Sequence, residues 1–396
     1  MKAVLRLWLI ALVLAIPLIG TANAEDPIRI LHMYPGTGPY EAYGKILQRS
    51  FMLGLEYATG GKMEVNGRKL VVIEKDTRNR PDLARSTLVQ AFQDDKVDIA
   101  VGAGASASAL AALPVALQFK KILLLPASAA DSITGKNFNR YMFRLGRNSS
   151  MDSISTARAL GAPGVSFGVL AQDNTFGQDA VAAFKKALGP TGATLVHEEY
   201  VAADSTDLTG NAQRLLDALK DRPGQKYIWI YWAGSGNPYA KMAALDPGRY
   251  GIQLATIGQA NDLMAPLKQL PGMLGTTSYY YDIPKNAVND WLVKAFRDRY
   301  NDVPDYDSPG AVASAIAVVK AIQIAGSTDS EKLITALEGL ELDTPKGKMI
   351  LRKEDHQALQ SMYAFKIAVD PKLPWGVPTL VKELSISDLD IPIQPH

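Results

Sequence analysis

Between Val97 and Ala130 small and hydroxylic residues follow two short apolar runs, an arrangement whose chemistry is the holding of an anion. The first run ends in Gly102-Ala103-Gly104-Ala105-Ser106-Ala107 ahead of an amphipathic stretch. The second, Ile122 to Leu125, ends in Pro126-Ala127-Ser128-Ala129-Ala130. Strand ends that turn through small residues into helix starts leave backbone N–H groups converging on one point, so an anionic group can be held without any charged side chain. Ser106 can cap the helix that follows and donate its hydroxyl to a carboxylate at the positive helix end. The plainer use, a helix cap with no guest, stays open.

Other chemistries find less support. The Gly102 to Ala107 loop superficially matches a dinucleotide fingerprint, but that motif needs an acidic residue at the end of the next strand, and here that strand ends Leu123-Leu124-Leu125-Pro126. The four histidines, His32, His197, His356 and His396, have no metal-binding spacing. Gly234-Ser235-Gly236 lacks the nucleophile elbow, and there is no thiol. These readings favour no enzyme, no cofactor and no metal. Aromatic residues stand where strands end: Tyr40 and Tyr43, Phe176, Tyr231 and Trp232, and Tyr279 to Tyr281. Open α/β sheets place ligands at such ends, so the group as a whole suits an apolar or flat solute, although core packing explains any one of them.

The elements that must position these residues alternate. β-type runs near 28–33, 70–75, 98–101 and 122–125 are interleaved with helical patterns near 44–57, 82–93 and 108–118. A second series follows, with strands near 165–170, 195–200, 227–231 and 254–257 and helices near 178–188, 209–220, 238–244 and 260–269. Such alternation predicts an α/β chain of two Rossmann-like lobes with parallel sheets. The remainder, mainly helices at 287–300, 310–325 and 330–338, completes the two lobes. The expected division is 25–147 plus 279–346 for the N-lobe and 148–278 plus 347–396 for the C-lobe, with crossings near Arg147, Thr277 to Tyr281 and Pro345 to Gly347.

Residues 1–24 have Lys2 and Arg6, an apolar run from Leu7 to Ile19 and then Ala22-Asn23-Ala24, the order of a cleavable signal peptide. The chain has no cysteine, which excludes both disulfides and a lipid-modified cysteine anchor. Without Lys2 and Arg6 the basic and acidic residues number 40 each, so neither nucleic acid nor an anionic membrane is an expected partner.

Several segments carry a family resemblance: Gly38-Pro39-Tyr40-Glu41-Ala42-Tyr43-Gly44, Glu74 through Asp82, Val101-Gly102 with Ser106, Pro126-Ala127-Ser128-Ala129 and Asp173-Asn174-Thr175-Phe176-Gly177. In order and spacing the chain resembles the periplasmic leucine/isoleucine/valine-binding family of ABC importers. The resemblance implies the type I periplasmic-binding-protein fold, in which two lobes joined by a three-stranded hinge close over a solute. It also implies a periplasmic monomer that docks on an inner-membrane ABC permease. In such proteins the hydroxyl at Ser106 and backbone groups at Ala127 and Ala129 grip the ligand carboxylate, Tyr43 lines the side-chain pocket, and Phe176 comes from the opposite lobe. Closure is expected to add Trp232, Gln259 and Tyr281. Ala129 replaces a common hydroxyl, Phe176 a common tyrosine, and Gly258-Gln259-Ala260-Asn261 a common acidic residue. An α-amino acid then needs Asp262 or Asp282 at the site, whereas a carboxylate or amide with an apolar or aromatic body needs neither. A ligand-sensing module of the same fold is the alternative function.

Overall fold

A computed structural model describes residues 26–396. The expected signal peptide lies outside the described residues. The first sheet is built from β1 (Ile28–Tyr34), β2 (Glu64–Val65), β3 (Arg68–Asp76), β4 (Ile99–Gly102), β5 (Ile122–Leu125) and β6 (Met142–Arg144), in the order β2-β3-β1-β4-β5-β6. Every pairing from β3 to β6 is parallel, and only the short β2 is antiparallel. Helices α1 (Glu41–Ala58), α2 (Pro81–Gln93) and α3 (Ser106–Phe119) connect the strands. β4 and β5 are buried along their whole length, as expected for parallel strands covered on both faces.

From β6 the chain crosses to the second half through Leu145–Asn148 and enters α4 (Ser149–Leu160), which Asn148 caps by accepting the Met151 N–H at 2.8 Å. There β7 (Ser166–Gln172), β8 (Thr194–Val201), β9 (Lys226–Tyr231), β10 (Ile252–Ile257) and β11 (Leu274–Thr277) pair in parallel, with α5 (Thr175–Leu188), α6 (Thr209–Leu219) and α7 (Tyr239–Ala244) between them. The expected helix at 260–269 is instead a 3-10 segment, Asn261–Gln269, with Pro266 inside it.

After β11 the chain returns through α8 (Ala287–Tyr300), α9 (Ser308–Ala325) and α10 (Ser330–Leu337) to the core of the first sheet. α9 is apolar all round because it is buried there, packed along α1. A small sheet of β12 (Glu341–Thr344), β13 (Gly347–Leu351) and β14 (Ala358–Leu359) belongs to the same core through Leu342, Met349, Leu351 and Ala358. The crossing expected at Pro345–Gly347 is therefore a hairpin turn, closed by the Thr344–Gly347 pair with Gly347 at φ 90°. The chain leaves this core only after β14. β15 (Met362–Val369) and β16 (Gly376–Leu384) then add antiparallel to the second sheet, giving β16-β15-β11-β10-β9-β7-β8, and a short α11 (Ile386–Leu389) follows. The observed architecture is the two-sheet α/β arrangement expected of the type I periplasmic-binding-protein fold.

Candidate functional site

Between the two sheets lies a narrow cleft lined by residues from both halves of the chain. Its first-lobe wall comes from the start of α1 (Tyr40, Tyr43), the loop into α3 (Gly104, Ala105, Ser106) and the turn after β5 (Ala127, Ala129). The opposite wall is Phe176 at the start of α5, Trp232 and Ala233 after β9, and Ile257 and Gly258 at the end of β10. Arg147, from the first crossing, and Tyr306 and Asp307, at the start of α9, complete it.

α3 begins without a side-chain cap, so the first-turn N–H groups beside Ser106 have no intrahelical partner. The Ser106 Oγ accepts the Ala130 N–H at 3.1 Å, which leaves its own proton free to donate. The structure thus brings Ser106, Ala127 and Ala129 onto one wall of the cleft, and Arg147 joins them. Arg147 puts a cation into it. Its Nε donates to the Tyr306 hydroxyl at 2.8 Å and lies 3.5 Å from the Asp152 carboxylate, while Nη1 donates to the Ala127 carbonyl at 3.1 Å. Nη2 has no hydrogen-bond partner among the described residues. Burial opposes the charge of this guanidinium, but Asp152 and the surrounding tyrosines outweigh it and hold the pKa well above its ordinary value.

Asp152 is wholly buried behind the cleft, with Oδ2 accepting from the Tyr231 hydroxyl at 2.8 Å and Oδ1 left without a partner. Phe176 stacks on that Tyr231 at 4.3 Å between ring centroids, so the aromatic wall and the ion pair share one support. Asp307 differs from Asp152, because its carboxylate accepts no hydrogen bond from the described residues. Burial pushes its pKa up to about 7, against the pull of Arg147.

Of the residues singled out from the sequence, the structure brings Tyr43, Ser106, Ala127, Ala129, Phe176 and Trp232 together on this cleft. Gln259 is turned away from it: its Nε2 donates to the Trp232 carbonyl at 2.9 Å and to the Tyr239 hydroxyl inside the second lobe, and Gly258 occupies the wall instead. Tyr281 lies apart, packed on Tyr280 in a separate surface depression with Asp282 and Lys285. Neither acid considered from the sequence reaches the cleft, since Asp262 is exposed and Asp282 pairs with Lys285 at 2.7 Å. Arg147 and Asp307 also line the cleft and were not singled out from the sequence as candidates. The only sequence signal was that Arg147 falls at an expected crossing, where a side chain stands between lobes.

Comparison with known proteins matches a family model described as periplasmic binding protein over residues 27–371. A crystal structure of an ABC-type branched-chain amino acid transporter protein from Rhodopseudomonas palustris is 55% identical, covering 93% of this chain and all of its own, with a TM-score of 0.85. A solute-binding protein from Rhodopseudomonas palustris BisB5, solved with 3,4-dihydroxybenzoic acid, is 24% identical over 91% of this chain and 98% of its own, with a TM-score of 0.78. A leucine-, isoleucine-, valine-, threonine- and alanine-binding protein of Pseudomonas aeruginosa is 24% identical over 82% of this chain and 86% of its own. With two sheets facing one another across a cleft that is wet with donors on one side and aromatic on the other, and a match spanning both, the chain belongs to the periplasmic binding proteins of ABC transporters.

Proposed function

We propose that this protein is the solute-capturing component of an ABC importer and that its guest is a small carboxylate with an apolar or aromatic body, held by closure of the lobes. The observation that carries the reading is that Arg147, with its Nη2 open, and Ser106, with its proton free, line one cleft walled by Tyr40, Tyr43, Phe176, Trp232 and Tyr306. A guanidinium recognises a carboxylate by charge-assisted hydrogen bonds, and a planar or branched apolar body fills the rest of such a space. Relatives solved with 3,4-dihydroxybenzoic acid and 4-hydroxybenzoate show that this fold accepts aromatic acids.

A second reading, a hydrophobic α-amino acid, is favoured by one observation: the unpartnered Asp307 carboxylate could accept an ammonium group. The name of the 55% identical relative points the same way. Ligand-binding roles are assigned to Tyr43, Ser106, Ala127, Ala129, Phe176 and Trp232, with Arg147 added and Gln259 and Tyr281 removed. The lobe boundary is placed after residue 359, and the protein is taken to act as a periplasmic monomer that delivers to its permease.

The test is a thermal-shift screen followed by calorimetry with benzoate, 4-hydroxybenzoate, leucine, phenylalanine, dicarboxylates and neutral amides, since a tight binder raises the melting temperature by mass action. Stabilisation by aromatic monocarboxylates supports the first reading. Stabilisation by amino acids alone selects the second, and stabilisation by amides alone removes both.

A further inference from the structure

We propose that the cleft takes up its acid guest together with one proton, and that Asp307 carries that proton and donates it as a hydrogen bond to the guest. The proposal rests on the guest being a carboxylate without an ammonium group.

The argument is one of charge in a closed space. Among the described residues Arg147 is the one cationic side chain lining the cleft, and Asp152 already engages it at 3.5 Å. Lys346, in the β12–β13 turn, is spent elsewhere: its Nζ donates to Gln360 Oε1 and the Ser361 carbonyl, both at 2.6 Å. Around Asp307 stand Tyr40 and Tyr43 at the start of α1, Arg147 from the crossing, Asp152 from α4, and Asp305 and Tyr306 from its own segment. A guest carboxylate would put a third anion beside a single fixed cation. Two carboxylates confined together away from water do not both stay ionised, so one takes a proton.

Which one follows from the hydrogen bonds. Asp152 accepts from Tyr231 and faces Arg147, interactions that favour its charged form. Asp305 accepts the Asn261 and Tyr306 N–H groups and does not line the cleft, so it cannot meet the guest, although burial pushes its pKa up to about 8. Asp307 accepts none, so protonation costs it no bond and gives it an O–H to offer. A bond of the O–H···O⁻ type is among the stronger ones available to a buried acid. In the free protein burial already pushes the Asp307 pKa up to about 7.

The experiment is calorimetry with benzoate from pH 6 to 9, repeated at pH 8.5 in two buffers of different ionisation heat. Above neutrality benzoate should bind with uptake of close to one proton, and its Kd should rise about tenfold per pH unit; near pH 6 the uptake should vanish. Asp307→Asn should flatten the pH profile and abolish the uptake. A flat wild-type profile without uptake, or uptake that persists in Asp307→Asn, overturns the proposal while leaving the carboxylate reading intact. If benzoate fails to bind while phenylalanine binds and loses affinity in Asp307→Asn, the carboxylate reading itself has failed and the proposal falls with it.

Discussion

Replacing Arg147 by leucine cuts three interactions and leaves one charge stranded. The Tyr306 hydroxyl and the Ala127 carbonyl lose donors at 2.8 and 3.1 Å, and Asp152 stays buried without its ion-pair partner. Removing one member of a buried ion pair costs about 3–5 kcal/mol, because the survivor keeps its desolvation penalty. In a domain of ordinary stability that is a large loss but not an unfolding one. The guest loses a charge-assisted hydrogen bond worth about 1.5–3 kcal/mol, which is roughly a 10- to 150-fold rise in Kd. The two effects separate in a double variant, since Asp152→Asn placed on Arg147→Leu removes the stranded charge. Urea unfolding followed by tryptophan fluorescence should show most of the lost stability returning, and calorimetry with the best acid of the screen should show the affinity still lost. Wild-type affinity in Arg147→Leu, or affinity that returns with Asp152→Asn, would refute the assignment of Arg147 to the guest.

Ser106→Ala should weaken acid binding about tenfold while lowering the melting temperature by only a few degrees, because the side chain holds a single N–H, that of Ala130; unchanged affinity by calorimetry removes Ser106 from the site. At Gly310 an added Cβ would sit 2.0 Å from the Pro126 carbonyl, so Gly310→Ala must push α9 off the turn that carries Ala127. Chemical denaturation should record a loss of about 1–3 kcal/mol together with weaker binding, and a variant as stable as wild type contradicts the packing. Asp305→Ala removes the acceptor of the Asn261 N–H across the cleft, 2.7 Å away, and should speed solute release several-fold in stopped-flow measurements. Glu199, held at about 2 chiefly by its bonds to Arg214, contributes stability above the ordinary carboxylate range and loses it as the pH falls toward 2. Glu199→Gln should therefore flatten the decline of stability between pH 4.5 and 2 in acid titrations.

The scaffold was legible where apolar periodicity and length agree. The strand Ile122–Leu125 and the helix Ala287–Tyr300 fall where the pattern puts them, because a four-residue apolar run and a capped amphipathic stretch have few other uses. β11 was not legible, since Leu274-Gly275-Thr276-Thr277 is short and glycine-broken and becomes a strand only through its neighbours β10 and β15. β16 hid behind Pro378, which an edge strand tolerates and a central one does not. Around the cleft, Ser106, Ala127 and Ala129 were readable because they follow the ends of β4 and β5 in a parallel sheet. Gln259 failed for a reason of one residue: the chain at the end of β10 offers Gly258 to the cleft and sends the next side chain inward to Tyr239. Arg147 and Asp307 stand 160 positions apart, and each taken alone looks like a solvated charge. Only the crossing of the chain and the burial of the α9 start bring them into one cavity.

How the work of recognition is divided between the lobes follows from where the charges sit. Ser106, Arg147 and Asp307 all reach the cleft from the first lobe or the crossing that leaves it, so on the proposed reading a carboxylate is met before the lobes close. The second lobe brings Phe176, Trp232, Ile257 and the backbone at Ala233 and Gly258, which is mostly apolar surface. The rim of the closed cleft is tied by three bonds from backbone N–H groups: Ser235 to the Pro39 carbonyl at 3.0 Å, Asn261 to Asp305 at 2.7 Å and Ser132 to Asp179 at 2.9 Å. Each contributes about 0.5–1.5 kcal/mol net and involves no atom of the guest. A ligand shifts the balance between open and closed forms only by its differential affinity for them. Here that difference must come from apolar area covered by the second lobe, at about 25 cal/mol per Å². On the proposed reading, then, charge decides whether a solute is held at all, and the size and flatness of its body decide whether the lobes close on it; a short carboxylate such as acetate should satisfy Arg147 and Ser106 and still leave the cleft open.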